Sequence, residues 1–130
     1  MAKTADRSEK SIGGMGLNLD FRRSPKVWEF LQSNAFVRGM MGPVGSGKSY
    51  ACAAEIMMRA VRQKPSPIDG IRYSRWAIVR NSYPMLRTTT LKTWIDLFPE
   101  ATFGPIHYTP PITHHIRLPA RGDAAGIDCE

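Results

Sequence analysis

One segment of the chain carries a known phosphate-binding pattern, and it reads Gly42-Pro43-Val44-Gly45-Ser46-Gly47-Lys48-Ser49. It fits G-x-x-x-x-G-K-[S/T], the phosphate-binding loop or P-loop, at every required position. Glycines in such a loop let the backbone take positive φ angles and approach a phosphate without an intervening Cβ. Successive N–H groups then point inward and form a nest for an anion. The segment therefore predicts a cradle for the phosphates of a nucleotide.

Two residues of the motif have specific predicted roles in holding a magnesium nucleotide. Lys48 is expected to reach the β- and γ-phosphates as a mobile positive charge, which makes it the predicted catalytic residue. Ser49 is expected to offer its hydroxyl to Mg²⁺ and is the predicted metal ligand. The predicted cofactors are therefore ATP and Mg²⁺. The predicted nucleotide-binding residues are Gly42, Pro43, Val44, Gly45, Ser46, Gly47, Lys48, Ser49 and Tyr50.

The segments on either side of the loop have the hydrophobic patterns that a P-loop requires. Residues 35–41, AFVRGMM, form a short apolar run after a polar turn, which predicts a buried strand. Residues 49–63 predict an amphipathic helix. Its apolar stripe is Cys52, Ala53, Ile56, Met57 and Ala60. A strand, the loop and a helix in this order favour a phosphate site over the alternative, a glycine-rich turn that binds nothing.

Strand and helix patterns alternate through the rest of the chain. Ser24 and Pro25 predict the start of a short helix before the loop, and residues 75–80 predict a second strand after it. A helix follows with Pro84 in its first turn, and its apolar face is Leu91, Trp94, Ile95 and Phe98. Residues 112–118 and 126–129 predict a hairpin. The predicted fold class is α/β, an incomplete P-loop NTPase-like parallel sheet with flanking helices, plus a C-terminal β-hairpin.

Length and composition favour one domain. The chain has 130 residues; residues 1–18 are polar and glycine-rich and are expected to form a flexible tail, and residues 19–130 a partial P-loop ATPase domain. No apolar run reaches the roughly 20 residues of a membrane-spanning helix, and no secretory signal is found. No membrane association and a cytoplasmic location are therefore expected. Cys52 and Cys129 lie far apart and are expected to be reduced thiols.

The positive charge of the chain is concentrated in its middle. Residues 48–92 hold nine basic groups against Glu55 and Asp69, so this stretch accounts for the whole net charge of +7. Such a stretch suits a polyanion, either a nucleotide or a nucleic acid backbone. A solvated basic face with no polyanion partner is the alternative.

Two longer stretches resemble one family of ATPases. FVRGMMGPVGSGKS at 36–49 and RWAIVRNSYPMLRTTTLKTWIDLFPE at 75–100 are similar to the N-terminal ATPase region of phage terminase large subunits. The lead-in LDFRRSPKVWEFLQ at 19–32 is similar too, so the resemblance covers about residues 18–118. The P-loop alone fits dozens of families, whereas the Arg-Asn-x-Tyr-Pro and Thr-x-Leu-x-x-Trp patterns of the second stretch fit far fewer.

The resemblance implies the motor ATPase of viral DNA packaging, which drives double-stranded DNA into an empty capsid. In the full-length protein the implied partners are double-stranded DNA, a portal protein and a small terminase subunit, and a homo-oligomer is possible. Lys48 and Ser49 occupy the positions of the Walker A lysine and the Mg²⁺ ligand. By the same resemblance, Phe30 and Gln32 are candidates to lie near the adenine.

The sequence departs from this family at the second acidic motif, Walker B, an apolar strand that ends in Asp-Glu. Residues 77–79 are followed by Arg80, and residues 127–130 are not an apolar strand. The chain is therefore expected to be truncated before Walker B and to bind nucleotide without efficient hydrolysis, while the full-length protein is the ATPase. One alternative is a non-hydrolysing nucleotide- or DNA-binding module. Another is a small P-loop kinase, which would need catalytic acids and lid arginines.

Overall fold

A computed structural model describes residues 24–120 and 125–130, so the predicted tail at 1–18 lies outside the described residues. The helices are α1 (Pro25–Gln32), α2 (Lys48–Arg62), α3 (Tyr83–Met85), a π turn (Leu86–Thr90), α4 (Leu91–Leu97) and α5 (Glu100–Phe103). The strands are β1 (Arg72–Ser74), β2 (Ile106–His107), β3 (Thr113–His114), β4 (Ile116–Leu118) and β5 (Ile127–Cys129). Within these ranges, every helix is too short or too polar to cross a bilayer.

The main sheet is small and mixed, whereas the sequence predicted a parallel one. Its strand order is β1–β5–β4, with β1 parallel and β4 antiparallel to β5. The predicted C-terminal hairpin is present as β4 and β5, although residues 121–124 of its loop lie outside the described part of the chain. The pairing of β1 with β5 extends beyond β1, because the Trp76 N–H donates to the Glu130 carbonyl at 2.7 Å. β2 and β3 form a separate antiparallel pair.

Two strand predictions are wrong: one segment forms no strand, and the other strand lies at a different position. Residues 35–41 have no regular structure. Phe36 and Met41 are exposed, at 103% and 99%, whereas Met40 is partly buried against Val27, Leu31 and Ala51. A buried strand needs hydrogen-bonding partners, and the described sheet contains no strand paired with this segment. The second predicted strand, at 75–80, lies three residues earlier as β1, because its partner β5 is only three residues long.

The predicted helix after the loop is confirmed as α2, and it forms one side of the main core. Five of its alanines and methionines are buried, namely Ala51, Ala53, Ala54, Met57 and Ala60. Cys52 was assigned to the apolar stripe, but it is exposed, because the core contacts are made by the neighbouring alanines. Phe98 is fully buried opposite α2, and its ring lies 4.5 Å from Trp94 and 5.3 Å from Phe103, centroid to centroid.

Residues 83–97 form one helical rod that is interrupted by the π turn. The rod begins after Ser82 with Pro84 in its first turn, as the sequence predicts. Three threonine hydroxyls near the π turn donate back to the carbonyls four residues earlier, from Thr88, Thr89 and Thr93. Such back-bonding and the stiffness of β-branched side chains both disfavour a regular α-helix at this point.

Candidate phosphate-binding loop

The predicted phosphate loop turns directly into α2 through two glycines with left-handed backbone conformations. Gly45 has a φ of +83° and Gly47 a φ of +78°. Gly47 is the residue that immediately precedes the helix, and the Ala51 N–H donates to its carbonyl at 2.8 Å. L-residues with side chains rarely adopt such angles, so the geometry explains why glycine occupies both positions.

Gly42 is required for a different reason, the close packing of the loop against itself. A Cβ placed on Gly42 would lie 3.0 Å from the Ser46 Oγ and 3.9 Å from the Lys48 Cδ. The first distance is shorter than an ordinary van der Waals contact, so any side chain at this position would displace the Ser46 hydroxyl. The three motif glycines therefore keep the loop tight and its backbone accessible.

Lys48 folds back over the loop and donates all of its hydrogen bonds within it. Its Nζ lies 2.7 Å from the Gly42 carbonyl, 2.5 Å from the Pro43 carbonyl and 2.9 Å from the Ser46 Oγ. An ammonium group has three donors, so these contacts satisfy it in the absence of an anion. They also hold the positive charge directly above the turn, where a phosphate oxygen can replace the loop oxygens as its partner.

The first turn of α2 offers further attraction for an anion. The N–H groups of Lys48 and Ser49 have no acceptor within the helix, because they belong to its first turn. No side chain caps the helix to replace those acceptors. The first turn also contains no acidic residue that would oppose a bound phosphate. Ser49 is exposed beside these groups, as its predicted role as a Mg²⁺ ligand requires. Val44 is fully exposed at the tip of the loop, at 103%.

A buried carboxylate on α2 ties the segment before the loop to the helix after it. Glu55 is 7% exposed and forms ion pairs with Arg38 and with Arg59, the latter at 2.8 Å. Arg38 also donates to the carbonyls of Phe30, at 3.1 Å, and Ser33, at 3.2 Å. In the sequence, Arg38 stands within the apolar run at 35–41, and no role was predicted for it. A charged residue within such a run is the signal that it has a buried counter-charge.

The side chains that the family resemblance places near the adenine lie on α1. The Arg38 guanidinium lies over the ring of Phe30, 4.9 Å from its centroid, so this ring is engaged in packing. Gln32 is exposed at the last position of the helix.

Cys52 lies on α2 between the loop and Glu55, and it is not an activated nucleophile. Burial, and next the Glu55 carboxylate, raise the pKa of the Cys52 thiol, while the charges of Arg38 and Arg80 act in the opposite direction. The net effect is upward, so the thiol stays protonated at neutral pH. Neither Cys52 nor Cys129 forms a disulfide.

An apolar cavity of about 210 Å³ lies between α2 and the helical rod at 83–97, and none of the predicted nucleotide-binding residues lines it. Trp76, Trp94 and His114 line it. His114 is not free for chemistry there, because its Nδ1 accepts from the Trp94 Nε1 at 2.9 Å and its Nε2 lies 3.0 Å from the Gly104 carbonyl. This cavity therefore has the character of an imperfectly filled core and not of a reaction site.

Within residues 24–120 and 125–130, no group of three or more His, Cys, Asp or Glu side chains is placed to hold a metal ion. His115 is paired with Asp128. Of the predicted nucleotide-binding residues, 42–47 form the loop that leads into α2, and Lys48, Ser49 and Tyr50 form the first turn of that helix. The chain matches no family model, no curated protein and no solved structure.

Proposed function

We propose that residues 42–49 bind the phosphates of ATP and Mg²⁺, within a P-loop NTPase-like domain. The observation that carries the proposal is the position of Lys48, whose ammonium is held over a tight glycine turn at the start of a 15-residue helix. Helix dipole, unpaired N–H groups and a mobile cation converge at this point, and together they favour a phosphate.

The wider role that we propose is the ATP-binding part of a viral DNA-packaging terminase large subunit. Its support is two patterns found in few families, Arg-Asn-x-Tyr-Pro at 80–84 and Thr-x-Leu-x-x-Trp at 89–94, which accompany the loop. Double-stranded DNA is then the polyanion on which the full-length motor acts, consistent with the basic stretch at 48–92. A portal protein and a small terminase subunit are partners of that full-length protein.

The residues present fit a magnesium nucleotide, since the Lys48 ammonium and the first turn of α2 lie at the end of the glycine turn and Gly42 adds no Cβ there. When bound, Mg²⁺ neutralises charge on the phosphate oxygens. On binding, the Lys48 ammonium would exchange its loop acceptors for phosphate oxygens, and the Ser49 hydroxyl would be the protein ligand for the metal. Gly45 and Gly47 supply the left-handed backbone conformations on which the turn depends.

Binding without rapid hydrolysis is the form of this function that the described residues favour. Hydrolysis needs a carboxylate that activates water, and Glu55, the acidic residue of α2, is already paired with Arg38 and Arg59. We therefore expect no ATP turnover by this chain above the level of a Lys48→Ala variant. Turnover that the Lys48 substitution abolishes would contradict this part of the proposal.

A thermal melt of the purified chain with and without Mg²⁺-ATP tests the binding. A ligand that binds only the folded state stabilises it by about 2.7 kcal/mol at a hundredfold excess over Kd. We expect a rise in Tm for the wild type and for Lys64→Ala, an exposed lysine just beyond the end of α2, and none for Lys48→Ala. A folded wild-type chain with no shift, or an equal shift in Lys48→Ala, would refute the proposal.

A further inference from the structure

The apolar cavity between α2 and the helical rod has room for a small molecule. Its volume is about 210 Å³. An apolar cavity of about 150 Å³ in another protein stays dry and binds benzene, so this one suits a molecule of two fused rings. The cavity opens to solvent where Arg75 and Ile78 line it, because both of these residues are exposed. A ligand can therefore enter without unfolding of the domain.

The walls of the cavity are largely apolar, and the core behind them holds them in place. Trp76 and Trp94 line the cavity and also pack against the main core. The Trp94 ring lies 4.5 Å from that of Phe98, centroid to centroid, and its N–H donates to His114. Indole rings that line a narrow apolar space favour a flat aromatic partner, which can stack on them or meet them edge to face. The lining thus suits a planar ring system.

The charges at the cavity cancel, so the site suits an uncharged molecule. Arg75 and Glu130 line it and form an ion pair with each other at 2.7 Å. Glu130 is fixed through its backbone as well, since its N–H donates to the Ser74 carbonyl at 3.0 Å. Within the described residues, no unpaired charge lines the cavity. A charged ligand would therefore lose its hydration without gaining a counter-charge.

One hydrogen-bond donor at the wall lacks a partner. The Trp76 Nε1 is buried, and no described residue accepts a hydrogen bond from it. A buried donor without an acceptor is unfavourable and is uncommon in native structures. Because free space adjoins the ring, a turn of the side chain would bring this N–H to an acceptor atom in the cavity. The ligand that fits best therefore carries an acceptor at the edge of its ring.

We propose that this cavity binds an uncharged, planar, fused-ring heteroaromatic molecule that accepts a hydrogen bond from the Trp76 indole. The site is separate from the phosphate loop, since none of residues 42–50 lines it. The inference therefore goes beyond the proposed function and does not depend on it. A ligand at this site contacts Ile56 on α2 and Leu91 on the rod, and so fixes the rod against the helix that carries the loop.

Isothermal titration calorimetry with benzimidazole and indole tests the proposal on the whole chain, at a mildly alkaline pH where both probes are uncharged. The two probes have the same size and shape, but only benzimidazole has a ring nitrogen that accepts. For ligands this small we expect a Kd on the order of 0.1–1 mM for benzimidazole and one about three to ten times higher for indole. Trp76→Phe keeps an aromatic wall but removes the donor, so it is expected to bring the two constants within about twofold of each other.

A bulky residue at the entrance of the cavity tests where the probe binds. Ile78→Trp fills the entrance with an indole ring and is expected to weaken benzimidazole binding by about tenfold or more. Val79→Trp is the matched control, because Val79 is 85% exposed and does not line the cavity. It is expected to leave the Kd unchanged. An unchanged Kd in a folded Ile78→Trp variant would place the probe elsewhere and overturn the inference.

An NMR titration of the wild-type chain gives a readout that does not depend on the stability of any variant. The indole N–H signals of Trp76 and Trp94 are expected to shift when benzimidazole is added. The signal of Trp28, which lies on α1 and does not line the cavity, is expected to stay in place. Equal shifts at all three, or a shift at Trp28 alone, would show non-specific binding and contradict the proposal.

The outcomes separate this inference from the proposed function. Lys48→Ala is expected to abolish binding of Mg²⁺-ATP and to leave the Kd for benzimidazole unchanged. Failure of a folded wild-type chain to bind either probe would leave the cavity as unfilled core and overturn the inference alone. Equal Kd values for the two probes would overturn it through the donor role of Trp76. Competition between Mg²⁺-ATP and benzimidazole would assign the cavity to the base of the nucleotide and overturn a separate site.

Discussion

Replacing Glu55 with glutamine tests the buried ion-pair cluster that joins the segment before the loop to α2. The glutamine keeps the shape of the side chain but leaves two arginines without their counter-charge. Removing one partner of a buried pair costs about 3–5 kcal/mol. Here the side chains of Arg38 and Arg59 keep 17% and 32% of their exposure, so solvent offsets part of that cost. We expect the free energy of unfolding to fall by about 2–3 kcal/mol.

A double-mutant cycle divides this effect between the two arginines. Arg59 lies four residues after Glu55 on the same helix, and such pairs are worth about 0.3–0.5 kcal/mol. Arg38 is more buried and also holds the carbonyls of Phe30 and Ser33, so its coupling to Glu55 is expected to be larger, about 1–2 kcal/mol.

Urea denaturation followed by far-ultraviolet circular dichroism measures these energies for Glu55→Gln, Arg38→Gln, Arg59→Gln and the two double variants. The denaturant dependence of unfolding should stay constant across the set, which shows that the variants share one folded state. A larger coupling for Arg59 than for Arg38, or a loss below about 0.5 kcal/mol for Glu55→Gln, would refute the reasoning. Either result would mean that Arg38 does not fix the segment at 35–41 to α2.

Two further predictions concern the core and an exposed carboxyl. Phe98→Ala removes a fully buried ring and is expected to lower the free energy of unfolding by about 3–5 kcal/mol. Phe36→Ala removes a fully exposed ring and should change that free energy by less than about 0.5 kcal/mol in the same urea titration. A comparable loss for both variants would instead support the buried strand predicted at 35–41. The Tyr73 hydroxyl, and next the Ile71 N–H, lower the pKa of Asp69. A carboxyl whose pKa is lowered by folding stabilises the folded state above its unfolded pKa, and this stabilisation is lost as the pH falls through its folded pKa. Tyr73→Phe should therefore raise the pKa of Asp69 towards its ordinary value in an NMR pH titration, and an unchanged value would show that the bond is not formed in solution.

Some of the sequence predictions depended on short-range interactions, and these agree with the structure. The start of α2 at Lys48 follows from a glycine-rich turn next to good helix formers, all within one or two helical turns. The rod that begins at Tyr83 follows in the same way from Ser82 and Pro84. The π turn within the rod, at Leu86–Thr90, was not among the sequence predictions.

The strand predictions failed because a strand needs a partner that its own sequence does not contain. Residues 35–41 have the composition of a buried strand, yet the described sheet offers them no neighbour. Residues 75–80 have a similar pattern, but the ladder is displaced to β1 because pairing follows the position and length of β5. Hydrophobic pattern alone cannot specify register or direction when the two strands lie more than 50 residues apart.

The sequence by itself determined the loop, since the glycines, the lysine and the helix after it act through neighbouring backbone atoms. Only the tertiary structure decided which distant charges meet at α2. The phosphate loop and the first half of α2 separate Arg38 from Glu55 in the sequence, and the two residues form a pair because the chain folds back at the loop. Arg80 likewise donates to the Thr90 hydroxyl, ten residues later in the chain, because the helical rod at 83–97 folds back beside it. Coulombic contacts of this kind depend on distance in space, which sequence spacing does not give.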